Sequence, residues 1–442
     1  MRIGRNAIWN IAEALLTSVV LFLLYRAILK DLGVAAMGVW ALVVSATAIG
    51  RVGDLGITGG LTRFVAMRQA AQSSGETVSL PGSSAIVYVE TALFMNAALY
   101  LVLGLAIYWP AWWALGWATE GNSTAIARGL LVYAVIAFVL QSNSGVLISA
   151  LVGAHRSDRK SILMLITTSL QCVVALALIH RLGLIGLALA QIAQYLAIIL
   201  IGWILVFQVL AGPWRGAFPH RFDRIALKEL FGFGLRMQAL TLSTLLYEPA
   251  VKFVLSTTLG VSVLGLYELA SRVTLQVRAL VLAPSQNLTP LMTAEIQRGG
   301  RGPDLRKLHR KAVLLMGAAG VIAMGGLAVG SPIISFIWFG RIDLLFVTLS
   351  ALTAGGWMVN ICAVPGYYLG IASGHLRWNI AGGLLTMSLS PAAAWLLSWN
   401  FGAVGSVAGV MTGVASGALL TAFMNRRLLH SDHGGKHLTG RA

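Results

Sequence analysis

The sequence predicts an all-α polytopic membrane protein, with about 12 transmembrane helices in two six-helix bundles related as parallel repeats around a central cleft. Three observations predict it. Of 442 residues, 57% are hydrophobic and 11% charged, whereas soluble domains carry roughly 25% charged residues. The apolar residues gather in runs of about 17 to 25, long enough for a helix to cross a hydrocarbon core of about 30 Å. Short motifs also recur at offsets of 227 and 219 residues, a distance that covers six such runs.

The first run, 7–29, follows a basic start like that of a signal peptide. It is too long for an h-region of about 7–15 residues and lacks a small-x-small cleavage site, so it is expected to remain as span one. Spans two to six are expected at 34–62, 84–108, 126–151, 161–180 and 183–210. Between spans three and four, Trp109, Trp112, Trp113 and Trp117 predict an interfacial belt or short interfacial helix, because tryptophan concentrates at the headgroup level. A sugar-stacking platform is the less favoured reading of the same residues.

Residues 211–229, with Pro213, Pro219 and four cations, are expected to form a basic interfacial linker. Spans seven to twelve follow at 230–256, 261–292, 312–338, 344–372, 378–398 and 402–424, and 425–442 is left as a tail. The expected lobes are therefore 1–210 and 230–424. Cys172 and Cys362 lie in apolar runs without CxxC or Cys/His spacing, which predicts small buried hydrophobes and neither a disulfide framework nor a zinc site.

The formal net charge of +17 would suggest nucleic acid in a soluble chain. Here 22 of the 32 Lys and Arg fall at the N-terminus and in loops after even-numbered spans, and only Lys30, Arg128, Arg181 and Arg341 fall in loops after odd ones. The positive-inside rule accounts for that asymmetry and places both termini in the cytoplasm. It leaves nucleic acid no role as a partner.

LGVAAMGVWAL from Leu32 matches LGVSVLGLYEL from Leu259 without a gap, pairing Gly33 with Gly260, Gly38 with Gly265 and Trp40 with Tyr267. GLIGLALA from Gly183 is similar to GAVGSVAG from Gly402. Two matches at nearly one offset predict a duplicated six-helix unit whose copies share one orientation.

These residues also carry a resemblance. LGVAAMGVWALVVSATAIGRVGDLGITGGLTRFVA, LGVSVLGLYELASR, SPIISFIWFG and PGYYLGIASGHLRWNI, in this order and spacing, resemble the signatures of bacterial polysaccharide transporters in the multidrug, oligosaccharidyl-lipid and polysaccharide exporter superfamily. The resemblance implies a flippase of the bacterial cytoplasmic membrane, with no cofactor. It would move an undecaprenyl-pyrophosphate-linked glycan, an O-antigen or exopolysaccharide repeat unit, by alternating access with H+ or Na+ coupling. Membrane lipids and a glycan polymerase or other assembly proteins would be its partners.

Six cations, Arg26, Arg51, Arg236, Lys252, Arg272 and Arg278, and five acids, Glu13, Asp54, Glu90, Glu248 and Glu268, lie inside apolar runs. A charge near the bilayer centre costs at least about 2.5–3.5 kcal/mol, so each is expected to pair or to face a wet cavity. A turn at Gly260 would set Lys252 and Glu268, each eight residues away, at one depth, and Glu248 and Arg272, each twelve away, at another. The quartet either neutralises itself to fix a hairpin or exposes Lys252 or Arg272 to the diphosphate as Glu248 or Glu268 rearranges. Arg51 and Arg278 correspond at the offset of 227 and suit an anionic headgroup, with ordinary snorkelling as the competing reading. Glu13 and Glu90 show no partner in the sequence and are candidate ion-coupling groups, with a carboxylate hydrogen-bonded between helices as the equal alternative.

A cation-coupled multidrug antiporter of the same superfamily is the nearest alternative function. A membrane glycosyltransferase or glycan polymerase fits less well, because the external loops are short and carry only Asp31, Glu120 and Asp343 as acids. No GxxxxGK[ST] phosphate loop occurs.

Overall fold

In the computed structural model the protein is all-α, and the described residues are 2–48, 57–73, 84–210, 218–230, 246–283, 285, 288–299 and 302–429. The helices are α1 Arg2–Asp31, α2 Gly33–Ala48, α3 Ile57–Ser73, α4 Ala85–Ala118, α5 Asn122–Gly153, α6 Ser157–Leu182 and α7 Leu184–Leu210. They continue as α8 Tyr247–Leu282, α9 Leu288–Gly299, α10 Pro303–Phe339, α11 Leu344–Ala372 and α12 Arg377–Arg426. Among the described residues, eight helices are long and apolar enough to cross a membrane. Two of these, α8 and α12, each join two helical arms through a non-helical glycine, Gly260 and Gly402.

Left-handed backbone falls at the same places in both halves of the chain. Gly33 and Gly260 have φ of 80° and 81°, and Gly183 and Gly402 have 57° and 56°, as their sequence correspondence predicts. Glycine takes φ above zero without the Cβ clash other residues meet, so these positions punctuate the helices. Two further pairs at the 219 offset, Gly121 with Gly340 and His155 with Gly374, also have positive φ. The second of these pairs is invisible to a glycine pattern, because one copy carries histidine.

The chain divides into two compact units, Met1–Glu268 with Ile337–Arg341, and Leu269–Phe336 with Ile342–Ala442. In the first, Leu61, Val65, Tyr88, Leu147, Leu151, Leu163 and Ile198 form a core among α3 to α7. Gly38 of α2 meets the second arm of α8 at Gly265, and a Cβ on either glycine would run into a backbone carbonyl of the other helix, Val261 or Val34. The two glycines that correspond at 227 residues thus permit one close crossing.

In the second unit, Met324, Leu327, Ala354 and Ile361 pack α10 against α11. The PGYYLGIASGHLRWNI stretch is a packing motif there. Gly366 faces the Ala422 backbone, and Gly370 faces the amides of Asn379 and Asn425. Asn425 donates to the Gly366 carbonyl at 3.0 Å and to Asn379 Oδ1 at 2.7 Å, and Asn379 donates to the Tyr367 carbonyl at 3.0 Å. All of these bonds are buried or partly buried, and backbone oxygens in the helix containing Pro365 gain side-chain donors.

Several boundaries differ from the expectation. Within the expected span two, 34–62, the described parts are α2, Gly33–Ala48, and α3, which runs from Ile57 past the expected end to Ser73, while 49–56 lie outside the described residues. Span eight stops at Leu282, short of 292, and α9 is a separate helix, in keeping with Pro284 and Pro290 in the sequence. The basic stretch from Arg298 to Lys311, between the expected spans eight and nine, is mostly helical in its described residues, since α10 starts at Pro303 with Asp304 in its first turn, a favourable opening for a helix. The tryptophan belt forms the last turns of α4 and not a helix of its own. Cys172 and Cys362 are half-buried instead of buried, because they lie on helix faces that the protein covers only in part.

Candidate functional site

The turn at Gly260, with φ 81° and ψ 168°, folds the second arm of α8 back beside the first. Lys252 from the first arm then reaches Glu268 of the second, Nζ to Oε2 2.8 Å, and Glu248 one turn earlier, Nζ to Oε1 2.7 Å. Lys252 and Glu268 are almost fully enclosed, whereas the Glu248 side chain is about half exposed at 51%. Ser256, one turn after Lys252, donates to the Ala118 carbonyl at the end of α4 and fixes the first arm. Arg272 follows Glu268 by one turn on α8 and is half-buried.

Arg278 lies two turns further along α8, in the second unit. Its Nε and Nη2 donate to Asn360 Oδ1 at 3.2 and 2.9 Å, and its guanidinium carbon is 4.6 Å from the centre of the Trp357 ring. One turn earlier, Thr274 and Thr353 join their hydroxyls at 3.1 Å, so α8 and α11 are pinned where the arginine reaches across. Among the described residues Arg278 has no carboxylate partner. A neutral amide and an aromatic face orient the charge without cancelling it. Arg51, its counterpart in the first half, lies outside the described residues.

The two acids without a partner in the sequence both acquire one. Glu13 of α1 takes the Lys160 ammonium at 2.6 and 2.8 Å and the Ser161 hydroxyl at 2.7 Å, bonds that tie α1 to α6. These partners lie 147 and 148 residues away, beyond the reach of any local pattern. Glu90 is buried in the second turn of α4, where it accepts the Arg221 backbone N–H at 3.2 Å with His220 Nδ1 4.0 Å away. Beside it Thr91 accepts the Asp223 N–H at 3.1 Å, and Tyr88 donates to Glu229 while accepting from Arg68 at 3.1 Å. The linker is thereby held to α4 directly and to Arg68 of α3 through Tyr88.

Sequence reasoning missed Asn360, Trp357, Lys160 and Ser161. The first two left a signal in the repeat: the 219 offset carries Trp357 to Phe138 and Asn360 to Gln141, so an aromatic and an amide recur together. Among the described residues no group of three His, Cys, Asp or Glu side chains could hold a metal ion.

A family profile described as "Polysaccharide biosynthesis protein" matches residues 32–340, most of the chain. The chain belongs to this family. Its fold is shared with solved membrane transporters. An inward-facing multidrug resistance MATE family transporter of the MOP superfamily aligns with TM-score 0.67 at 16% identity, covering 94% of this chain and 98% of its own. The lipid II flippase MurJ in an inward closed conformation gives 0.63 at 13%, covering 95% and 87%. A mutant of the Vibrio cholerae MATE transporter VcmN gives 0.60 at 16%, covering 98% and 99%. Among curated proteins none matches the sequence at a significant level. This polysaccharide biosynthesis family member therefore has helices long and apolar enough for a multi-pass membrane protein and shares its fold with solved membrane transporters and a flippase.

Proposed function

We propose that the protein is a flippase for a lipid-linked oligosaccharide carried on a diphosphate, an O-antigen or exopolysaccharide repeat unit, in the bacterial cytoplasmic membrane. The observation that carries this reading is Arg278, a guanidinium in a membrane helix oriented by Asn360 and Trp357 with no carboxylate partner among the described residues. Such a group is costly inside the bilayer unless something anionic meets it, and a diphosphate matches its planar fork of donors. Arg51, Arg272 and Lys252 are proposed as further contacts to the anion, with Glu248 and Glu268 as the groups that compete for Lys252 and Arg272.

Two six-helix lobes, bounded near residues 210 and 230, with both termini cytoplasmic, are part of the proposal, as is alternating access between the two sides. H+ or Na+ coupling is assigned to Glu13. Neutralising that carboxylate would release Lys160 and uncouple α1 from α6, whereas Glu90 serves to hold the linker. The family's description and the flippase among the fold neighbours support an anionic lipid-linked substrate. The multidrug transporters among those neighbours define the competing outcome.

The test is transport in vesicles containing the purified protein, with a fluorescent lipid-diphosphate oligosaccharide and, separately, a cationic dye. The lipid-linked glycan is expected to cross and the dye is not. Arg278→Gln is expected to slow the glycan on the order of tenfold or more, since a charge-assisted bond contributes about 1.5–3 kcal/mol. Arg278→Lys should fall between. Dye transport that Arg278→Gln leaves intact would overturn the proposal.

A further inference from the structure

The seam between α4 and α5 holds a feature that the transport reading does not use. Leu101, Leu105 and Tyr108 of α4, with Val132, Ile136 and Leu140 of α5, line an open apolar groove of about 440 Å³. It extends from Leu101 to Tyr108 of α4, a rise of about 10 Å, most of one leaflet's share of a roughly 30 Å core. The helix face that lines it continues past its end. Trp112 stands one turn beyond Tyr108, and Arg128 one turn before Val132.

Arg128 is held in a fixed pose at this end. Its guanidinium carbon is 3.6 Å from the centre of the Trp112 ring, and Nε donates to the Trp112 carbonyl at 3.3 Å. The group lies over Gly116, where any Cβ would collide with it. Arg128 forms no ion pair among the described residues, and its two Nη groups retain donors for an acceptor outside the protein. Trp109, Trp113 and Trp117, all exposed, surround the same end of α4 and mark it as headgroup level.

We propose that the α4–α5 seam binds an anionic phospholipid, one hydrocarbon chain lying in the groove and the phosphodiester resting on Arg128. The groove supplies an apolar length ending in a single cation, the arrangement that a lipid with one negative phosphate matches. A diphosphate-linked lipid carries more charge than one guanidinium balances, so the occupant is a membrane phospholipid and not the transported species. The aromatic belt sets the depth, and the stacked arginine sets the headgroup preference. The site stands whether or not the protein flips a glycan.

Native mass spectrometry of the full-length protein tests this, with dioleoyl phosphatidylglycerol and dioleoyl phosphatidylcholine offered in equal amounts. The wild type is expected to retain one phosphatidylglycerol with about fivefold preference, the effect of one basic residue at an anionic headgroup. Arg128→Gln should bind the two lipids equally, Arg128→Lys should keep a preference, and Leu105→Trp should lose retention of both by filling the groove. Lys30→Gln, another cation of the same expected side, should behave as wild type. Thermal melting in phosphatidylcholine alone shows whether a variant is folded, and the Arg128→Lys comparison keeps the test decisive if Arg128→Gln is not. A preference that persists in Arg128→Gln or falls equally in Lys30→Gln would overturn the proposal. So would a prenyl diphosphate that displaces phosphatidylglycerol, since the occupant would then be the lipid-linked substrate.

Discussion

Removing Lys252 alone should be far more damaging than removing Glu248, and more damaging than removing Lys252 together with its enclosed partner Glu268. At 2.8 Å and an effective dielectric constant of about 20, the direct attraction between Lys252 and Glu268 is about 6 kcal/mol. Desolvating both charges offsets most of that, so the pair as a unit stabilises the fold little. Breaking it is a different matter. Lys252→Met takes the ammonium away from Glu268, a carboxylate only 3% exposed, and the expected loss is about 3–5 kcal/mol. Glu248→Gln should cost about 1 kcal/mol or less, because that carboxylate is half solvated. The double variant Lys252→Met with Glu268→Met replaces both charges by apolar volume and should recover to within about 1–2 kcal/mol of wild type. Thermal unfolding in lipid nanodiscs orders the four proteins, and glycan flipping in vesicles then separates two roles. A stable double variant that still transports assigns the cluster to the hairpin alone, and one that folds but does not transport assigns it to the cycle. A double variant as unstable as Lys252→Met would refute the desolvation argument.

Gly38→Ala and Gly265→Ala each drive a Cβ into an opposing backbone carbonyl and should destabilise the first unit by about 1–3 kcal/mol, with transport slowed in parallel; an unchanged melting temperature for both contradicts the close crossing. Asn425→Ala leaves the Gly366 carbonyl and Asn379 Oδ1 without their donor and should lower stability by about 1–3 kcal/mol, whereas the exposed Ser388→Ala should be neutral by the same melt. Glu13→Gln removes the charge that holds Lys160 and should abolish the response of flipping to an imposed H+ or Na+ gradient while a basal rate persists; a gradient response equal to wild type rules Glu13 out as the coupling group.

The helical class was legible because hydropathy is a property of consecutive residues, and the turns were legible where glycine marks them. Gly33, Gly183, Gly260 and Gly402 stood out as paired motifs, and all four have left-handed backbone. His155 did not, since only its correspondence to Gly374 shows that the backbone there also has positive φ. Helix ends inside apolar stretches were the least legible. Hydropathy alone carries span eight to 292, whereas α8 stops at Leu282.

The charged residues divide by how far away their partners are. Lys252 and Glu268 were readable because a single turn relates them, so counting residues from Gly260 gives their depth. Glu13 could not be read in this way, because α1 meets α6 only through packing of the whole unit. Arg278 is the instructive intermediate case. Its position in the repeat was visible, but its partner is an amide, which no charge pattern finds. That distinction bears directly on function. A carboxylate partner would have closed the site by neutralising it, whereas Asn360 and Trp357 hold the guanidinium in place with its charge intact. The proposed function therefore rests on the neutral cradle around one arginine and not on the +17 excess.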